Sequence, residues 1–142
     1  MSTAPRGKVL VIDDDPLVTA TYEAHLEVAD FAVETAPNAA AGFAALRAFN
    51  PDVVLLDLRM PVTSGLDWLG ELRKIPEYQK LPVFILTSSP ADSREAAAAM
   101  ESGAAGVMTK SQWDPEAVAT ALRWALVKSG ALADETQQLD LQ

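Results

Sequence analysis

Short apolar runs and longer segments of helical period alternate along the chain. Lys8 to Ile12 contains the run Val9-Leu10-Val11-Ile12, Val53 to Leu56 is apolar throughout, and Val83 to Leu86 follows the same pattern up to Thr87. Runs of this length with no polar alternation predict strands covered on both faces. Phe31 to Ala36 includes Glu34 and Thr35, which predicts a second strand nearer an edge, and Gly106 to Thr109 predicts a short fifth strand. Between these runs the spacing lengthens. After Asp15-Pro16, a cap residue with proline at the first helical position, Val18, Tyr22, Leu26 and Ala29 recur at three- and four-residue intervals. Asn38 to Phe49 predicts an alanine-rich second helix stopped by Asn50-Pro51. Leu66, Leu69 and Leu72 mark a third, before the connector "IPEYQKLP". Asp92 to Glu101 predicts a fourth, with Gly103 as its C-terminal cap. Asp114-Pro115 opens a fifth, carrying Val118, Leu122, Ala125 and Leu126 and ended by Gly130.

Five strands alternating with five helices predict an α/β domain with a parallel sheet between two helical layers. Right-handed crossovers leave few topologies, and the ligand site of such a sheet lies beyond the carboxyl ends of its strands. The 142 residues suit one domain. We expect it over residues 7–129, with tails at 1–6 and 130–142 and no output domain after it.

Charge and cysteine content narrow the partners. The formal net charge of -9 argues against nucleic acid or an anionic membrane as partner of the whole surface, and Lys and Arg form no cluster. The absence of cysteine excludes disulfides and thiolate metal sites. "MSTAPRGK" at the N-terminus lacks the apolar core of a signal peptide, and no run approaches the length of a membrane span. These features point to the cytoplasm.

The candidate chemistry sits at the predicted strand ends. The first strand ends in Asp13 and Asp14, the third in Asp57, the fourth in Thr87 and Ser88, and the fifth in Lys110. Carboxylates converging on one rim repel unless a cation sits among them, so at least one is expected to titrate above its ordinary range without metal. Oxygen ligands without His or Cys favour Mg²⁺, whose remaining positions suit phosphoryl oxygens. Lys110 suits further phosphoryl oxygens and Thr87 can hydrogen-bond one, while one carboxylate can act as the nucleophile. Asp15 reads as a helix cap, and the lone His25 as a surface or packing residue. Trp68, Trp113 and Trp124 read as packing residues.

"VLVIDDDP", "VVLLDLRMPVTSG", "VFILTSS" and "GVMTK", each closing on a strand end and in this order, resemble the motifs of the response-regulator receiver domain, the CheY-like family of two-component signalling. The resemblance covers roughly residues 7 to 128. It implies a flavodoxin-like (βα)5 three-layer sandwich with strand order 2-1-3-4-5. It implies that Asp57 accepts a phosphoryl group from a histidine kinase or histidine phosphotransfer protein. It also implies Mg²⁺ held by Asp13, Asp14, Asp57 and the backbone carbonyl of Arg59, with Lys110 on the phosphoryl group and Thr87 as the switch hydroxyl. By the same resemblance a phosphohistidine partner is expected to dock around Pro16 to Thr19, and a downstream protein target is expected on the face of the fourth helix, fifth strand and fifth helix, here Ala96 to Met100, Val107 to Thr109 and Trp113 to Leu126. In this family that face also forms homodimers. The chain so read is a switch and not a turnover enzyme.

Three positions depart from the family pattern. Val107 replaces the usual aromatic, Ser111 replaces the proline after the lysine, and Arg59 puts a large cation two residues after Asp57, where it suits a salt bridge at the mouth. Arg59 also argues against a haloacid-dehalogenase-like phosphatase, which needs a second aspartate there. A non-phosphorylated binding module and a receiver excised from a longer hybrid protein stay as alternative readings.

Overall fold

A computed structural model of the chain describes residues 7–90 and 92–130; the tails expected at 1–6 and beyond Gly130 lie outside them. The elements run β1 (Gly7–Ile12), α1 (Pro16–Val28), β2 (Phe31–Ala36), α2 (Ala39–Phe49), β3 (Val53–Leu56), α3 (Gly65–Arg73), β4 (Val83–Thr87), α4 (Arg94–Glu101), β5 (Gly106–Thr109) and α5 (Pro115–Ser129). The connector before β4 adds one 3₁₀ turn, Pro76–Tyr78. All strand pairs are parallel, in the order β2-β1-β3-β4-β5. This is the flavodoxin-like order, with the more polar β2 at an edge.

The sheet separates two cores because successive side chains of a strand point to opposite faces. Leu10 and Ile12 of β1 join Val54 and Leu56 of β3 under α2, α3 and α4. Val9 and Val11 join Val53 and Leu55 on the other face, under α1 and α5. Trp68 is fully buried in the first core. Its ring stacks on Phe43 with centroids 4.9 Å apart, and its Nε1 donates to the carbonyl of Ala39 at 3.1 Å. Trp113 packs, partly buried, against the second core.

Trp124 does not pack as expected: it is 64% exposed. The buried line of α5 is Val118, Ala119, Leu122 and Leu126. A residue two positions from both Leu122 and Leu126 lies about 200° around the helix, on its wet side.

Among the described residues, every α-helix begins on a polar side chain that accepts a backbone N–H of its first turn. Asp15, Asn38, Ser64, Ser93 and Asp114 serve this role. Two predicted starts shift accordingly: Asn38 is a cap outside its helix, and Ser93 takes the cap of α4, leaving Asp92 in the turn before it. At the far end of α4, Gly103 adopts φ +99°, its N–H donates to Met100 and that of Ala104 to Ala99, the bond pair of a Schellman stop. The Arg73 guanidinium ties the bottom of this layer together, donating to the carbonyls of Tyr78 (2.7 Å), Leu81 (2.8 Å) and Gly103 (2.6 Å).

The loop from β3 to α3 contains the least comfortable backbone. Val62 has φ +70° and its side chain is fully exposed, while the N–H of Thr63 donates to Pro61 at 2.8 Å across it. A β-branched residue in that region is strained, with no burial to compensate. Val62→Gly is therefore expected to raise stability by about 1 kcal/mol in urea unfolding, the relief of strain exceeding the added freedom of the unfolded chain.

Candidate functional site

The carboxyl ends of β1, β3, β4 and β5 bring the predicted residues onto one rim. The backbone of Asp13 continues the sheet by donating to Ala36 (3.1 Å), and that of Asp57 by donating to Ile12 (2.9 Å). Both side chains are therefore fixed at the points where the apolar strands stop. Asp13 is 3% and Asp57 7% exposed, while Asp14 stands in solvent. One oxygen from each carboxylate can be chosen so that all lie within 4.8 Å of one another. That is the span over which a hard cation with oxygen ligands at about 2.1 Å binds, partly through water. Asp15 points its carboxylate at the N–H of Leu17 (2.9 Å), which confirms it as the cap of α1.

Lys110 reaches across the sheet. Its N–H donates to the carbonyl of Thr87 (2.7 Å), which extends the β4–β5 pairing by one residue. Its ammonium lies 3.0 Å from Asp13 Oδ2 and 3.9 Å from Asp57 Oδ1. The nearer partner is thus the buried Asp13, whose other oxygen accepts the N–H of Asp15 at 3.0 Å. No described peptide bond is cis, and Lys110 reaches the site with Ser111 following it.

Asp57 titrates above its ordinary range. Its carboxyl is pushed from the ordinary 3.8 up to about 6, first by burial and then by the charge of Asp13, with Lys110 and the N–H of Arg59 opposing. Repulsion among the carboxylates, the cause expected from the sequence, comes second to loss of solvent.

Thr87 is fully buried, and its hydroxyl accepts the N–H of Ser89 at 3.1 Å. Val107 is half-buried against the first core. Arg59 does form a salt bridge at the mouth: its Nη2 lies 3.1 Å from Glu95 Oε1. Glu95 and Ser89 were not identified from the sequence. The sequence carries only a lone arginine in an acidic rim and, 36 positions on, a glutamate in the first turn of a helix; that the two face each other is set by the fold.

The geometry defines an α/β domain whose buried strand-end aspartate is flanked by acidic residues and a lysine. A family profile described as "Response regulator receiver domain" matches residues 9–123. The chain belongs to the response regulator receiver domains of two-component systems.

The chain is 37% identical over 129 residues to the transcriptional regulatory protein KdpE of Mycobacterium tuberculosis, covering 91% of this chain and 55% of that protein. It is 36% identical over 107 residues to the transcriptional regulatory protein CseB of Streptomyces avermitilis, covering 75% of this chain and 44% of the relative. The chain thus spans about half the length of these curated relatives. Among solved structures, the chemotaxis protein CheY4 of Vibrio cholerae superposes with TM-score 0.75 at 27% identity, over 82% of this chain and 95% of that one. Among the described residues no helix is long and apolar enough to cross a membrane.

Proposed function

We propose that this chain is a phosphoacceptor switch: Asp57 takes a phosphoryl group from a phosphohistidine on a histidine kinase or phosphotransfer protein and changes the chain's affinity for a protein target. The observation that carries this reading is the placement of Asp57 Oδ1, buried at a strand end, 3.9 Å from the Lys110 ammonium within the carboxylate cluster. In the transfer an Asp57 oxygen bonds to phosphorus, the phosphorus–nitrogen bond breaks, and the electron pair leaves on the imidazole nitrogen, which is then protonated from solvent. Lys110 is proposed to meet the phosphoryl charge; its ammonium, 3.0 Å from Asp13 Oδ2, offsets the charge of Asp13 before transfer. Asp13, Asp14, Asp57 and the carbonyl of Arg59 are the residues proposed to hold Mg²⁺. That ion, when bound, supplies positive charge to the phosphoryl oxygens and relieves the crowding of the carboxylates. The Thr87 hydroxyl is the proposed contact that changes partner on phosphorylation.

The exposed Leu17 of α1 suits the docking of the phosphohistidine partner, and the exposed Met100 and Trp124 suit a protein target or a second copy. A cytoplasmic location accords with this exchange. The acidic charge gives an expectation of no nucleic-acid partner, and that expectation does not fit the similar proteins KdpE and CseB, which are named transcriptional regulators and are about twice as long.

Incubation with Mg²⁺ and acetyl phosphate is expected to add one phosphoryl group by intact mass, a gain lost in Asp57→Asn and without Mg²⁺. No gain from acetyl phosphate, followed by none from a purified phosphohistidine donor, would put the binding-only reading first.

A further inference from the structure

Arg59 follows Asp57 by two residues, and its N–H lies 3.4 Å from Asp57 Oδ1. Its guanidinium is nonetheless paired elsewhere, with Glu95 in the first turn of α4: Nη2 to Oε1 at 3.1 Å and Nε to Oε2 at 3.5 Å. The same carboxylate accepts from the hydroxyl of Ser89 at 3.3 Å. The N–H of Ser89 in turn holds the hydroxyl of Thr87 at 3.1 Å, and its carbonyl accepts from Thr109 Oγ1 at 3.5 Å. A line of polar contacts therefore runs from the loop after β3, through the start of α4, to the buried end of β4.

The two ends of this line differ. Ser89 is 6% exposed, whereas the side chains of Arg59 and Glu95 are 67% and 43% exposed. The wet end is the weak end, because a solvated ion pair gains little over its separated partners. Arg59 and Glu95 also line a cavity of about 530 Å³ with Leu58, Met60, Ser64 and Leu66, so the guanidinium has room to move. A phosphoryl group on Asp57 would offer up to two negative charges and three strong acceptor oxygens, a better partner for a guanidinium than one carboxylate.

We propose that Glu95 is a positioning residue that holds Arg59 in reserve, and that the guanidinium leaves Glu95 for the phosphoryl oxygens once Asp57 is modified, freeing Ser89 and the first turn of α4. This rests on the phosphoacceptor reading of Asp57. The exchange makes and breaks only ion pairs and hydrogen bonds. It gives the chain a route from Asp57 to the surface of α4 that does not need an aromatic at position 107. It also places Arg59 and Glu95, whose charges are opposite and nearly balanced, where a single added anion decides which of two partners the arginine takes.

The test is a mutant cycle read by binding. Fluoroberyllate, a tetrahedral mimic of the phosphoryl group, is titrated with Mg²⁺ into the parent chain, Glu95→Gln, Arg59→Gln and the double variant. Affinity is followed by intrinsic fluorescence and the start of α4 by amide exchange at Ala96 and Ala97. Glu95→Gln is expected to bind about fivefold more tightly, because the competitor for Arg59 is gone, and the gain is expected to vanish in the Arg59→Gln background. Amide exchange at the start of α4 is expected to quicken on ligand binding in the parent chain, and to be fast already in free Glu95→Gln. An equal gain in both backgrounds would mean that Glu95 acts only as a repelling charge, and would overturn the proposal, as would no gain at all. A parent chain that neither binds fluoroberyllate nor gains a phosphoryl group would overturn the phosphoacceptor reading, and this proposal with it.

Discussion

In metal-free buffer at pH 7, Asp57→Asn is expected to melt about 10 °C above the parent chain. The cause is the buried carboxylate itself. In the folded chain Asp57 titrates at about 6 against an ordinary 3.8, mainly because burial strips its solvent and Asp13 repels it. Above pH 6 the folded state must keep that charge, whereas the unfolded state carries it in water. The interval from 3.8 to about 6 corresponds to on the order of 3 kcal/mol of destabilisation. The sign follows from proton counts. Between those two values the folded chain binds more protons than the unfolded one, so this group makes stability fall as pH rises through the window. Below 3.8 both states are protonated and the contribution is gone. The advantage of Asp57→Asn should thus be full at pH 7, shrink through pH 5 and vanish near pH 3, and added Mg²⁺ should reduce it at neutral pH. Melts of the two chains at these pH values, with and without Mg²⁺, check it. An advantage that grows as pH falls would contradict the assigned cause.

Gly65→Ala is expected to damage both the fold and the site. Gly65 opens α3, and its N–H donates to the carbonyl of Leu58 at 2.9 Å. A Cβ there would run into the carbonyl oxygen of Asp57 and lie 2.8 Å from the Cα of Leu58. These are backbone atoms, so no rotamer relieves the clash and the loop after β3 must move. Overpacking of this kind costs about 3 kcal/mol. The displaced carbonyl belongs to Asp57, so the carboxylate loses its alignment with Lys110 and the acidic cluster. A shift of about 1 Å at a reacting group lowers rate on the order of a hundredfold. Urea unfolding and phosphoryl uptake by intact mass separate the two effects. A chain destabilised as expected but phosphorylated at the parent rate would show that the loop absorbs the methyl group without moving Asp57.

The strands were legible because their apolar runs are uninterrupted and stop at charged or hydroxyl residues. The bounds of β2, β3 and β5 match the sequence reading, while β1 starts one residue earlier, at Gly7. That same abruptness exposed Asp13, Asp14, Asp57 and Lys110, since a parallel sheet carries all its strand ends to one rim. Helix starts were less clear by a residue or two, because Asn38 and Ser93 favour the turn before a helix as its cap. Partnerships were not legible. That Lys110 lies closer to Asp13 than to Asp57 depends on the height of side chains within the rim. The pairing of Arg59 with Glu95 spans 36 positions and joins two segments whose approach is set by α3 and α4 packing on one face. Trp124 reads as a packing residue on apolar size alone, but its helical angle places it outside.

The two-sided core has a consequence for how the chain finds its alignment. In a strand with one wet face, sliding by one residue drives polar groups inward, so hydrophobicity alone sets the phase. Val9 to Ile12 of β1 and the whole of β3 are buried on both faces, and over that stretch a slip would exchange one apolar side chain for another. What a slip could not do is keep Asp13 and Asp57 at the mouth, because it would draw a carboxylate between apolar layers or leave an apolar residue beyond the sheet. The charges that suit the chemistry thus also mark where each strand must stop. Replacing both by apolar residues would remove the phasing mark along with the activity, and the expected product is a mixture of sheet alignments rather than one stabilised fold.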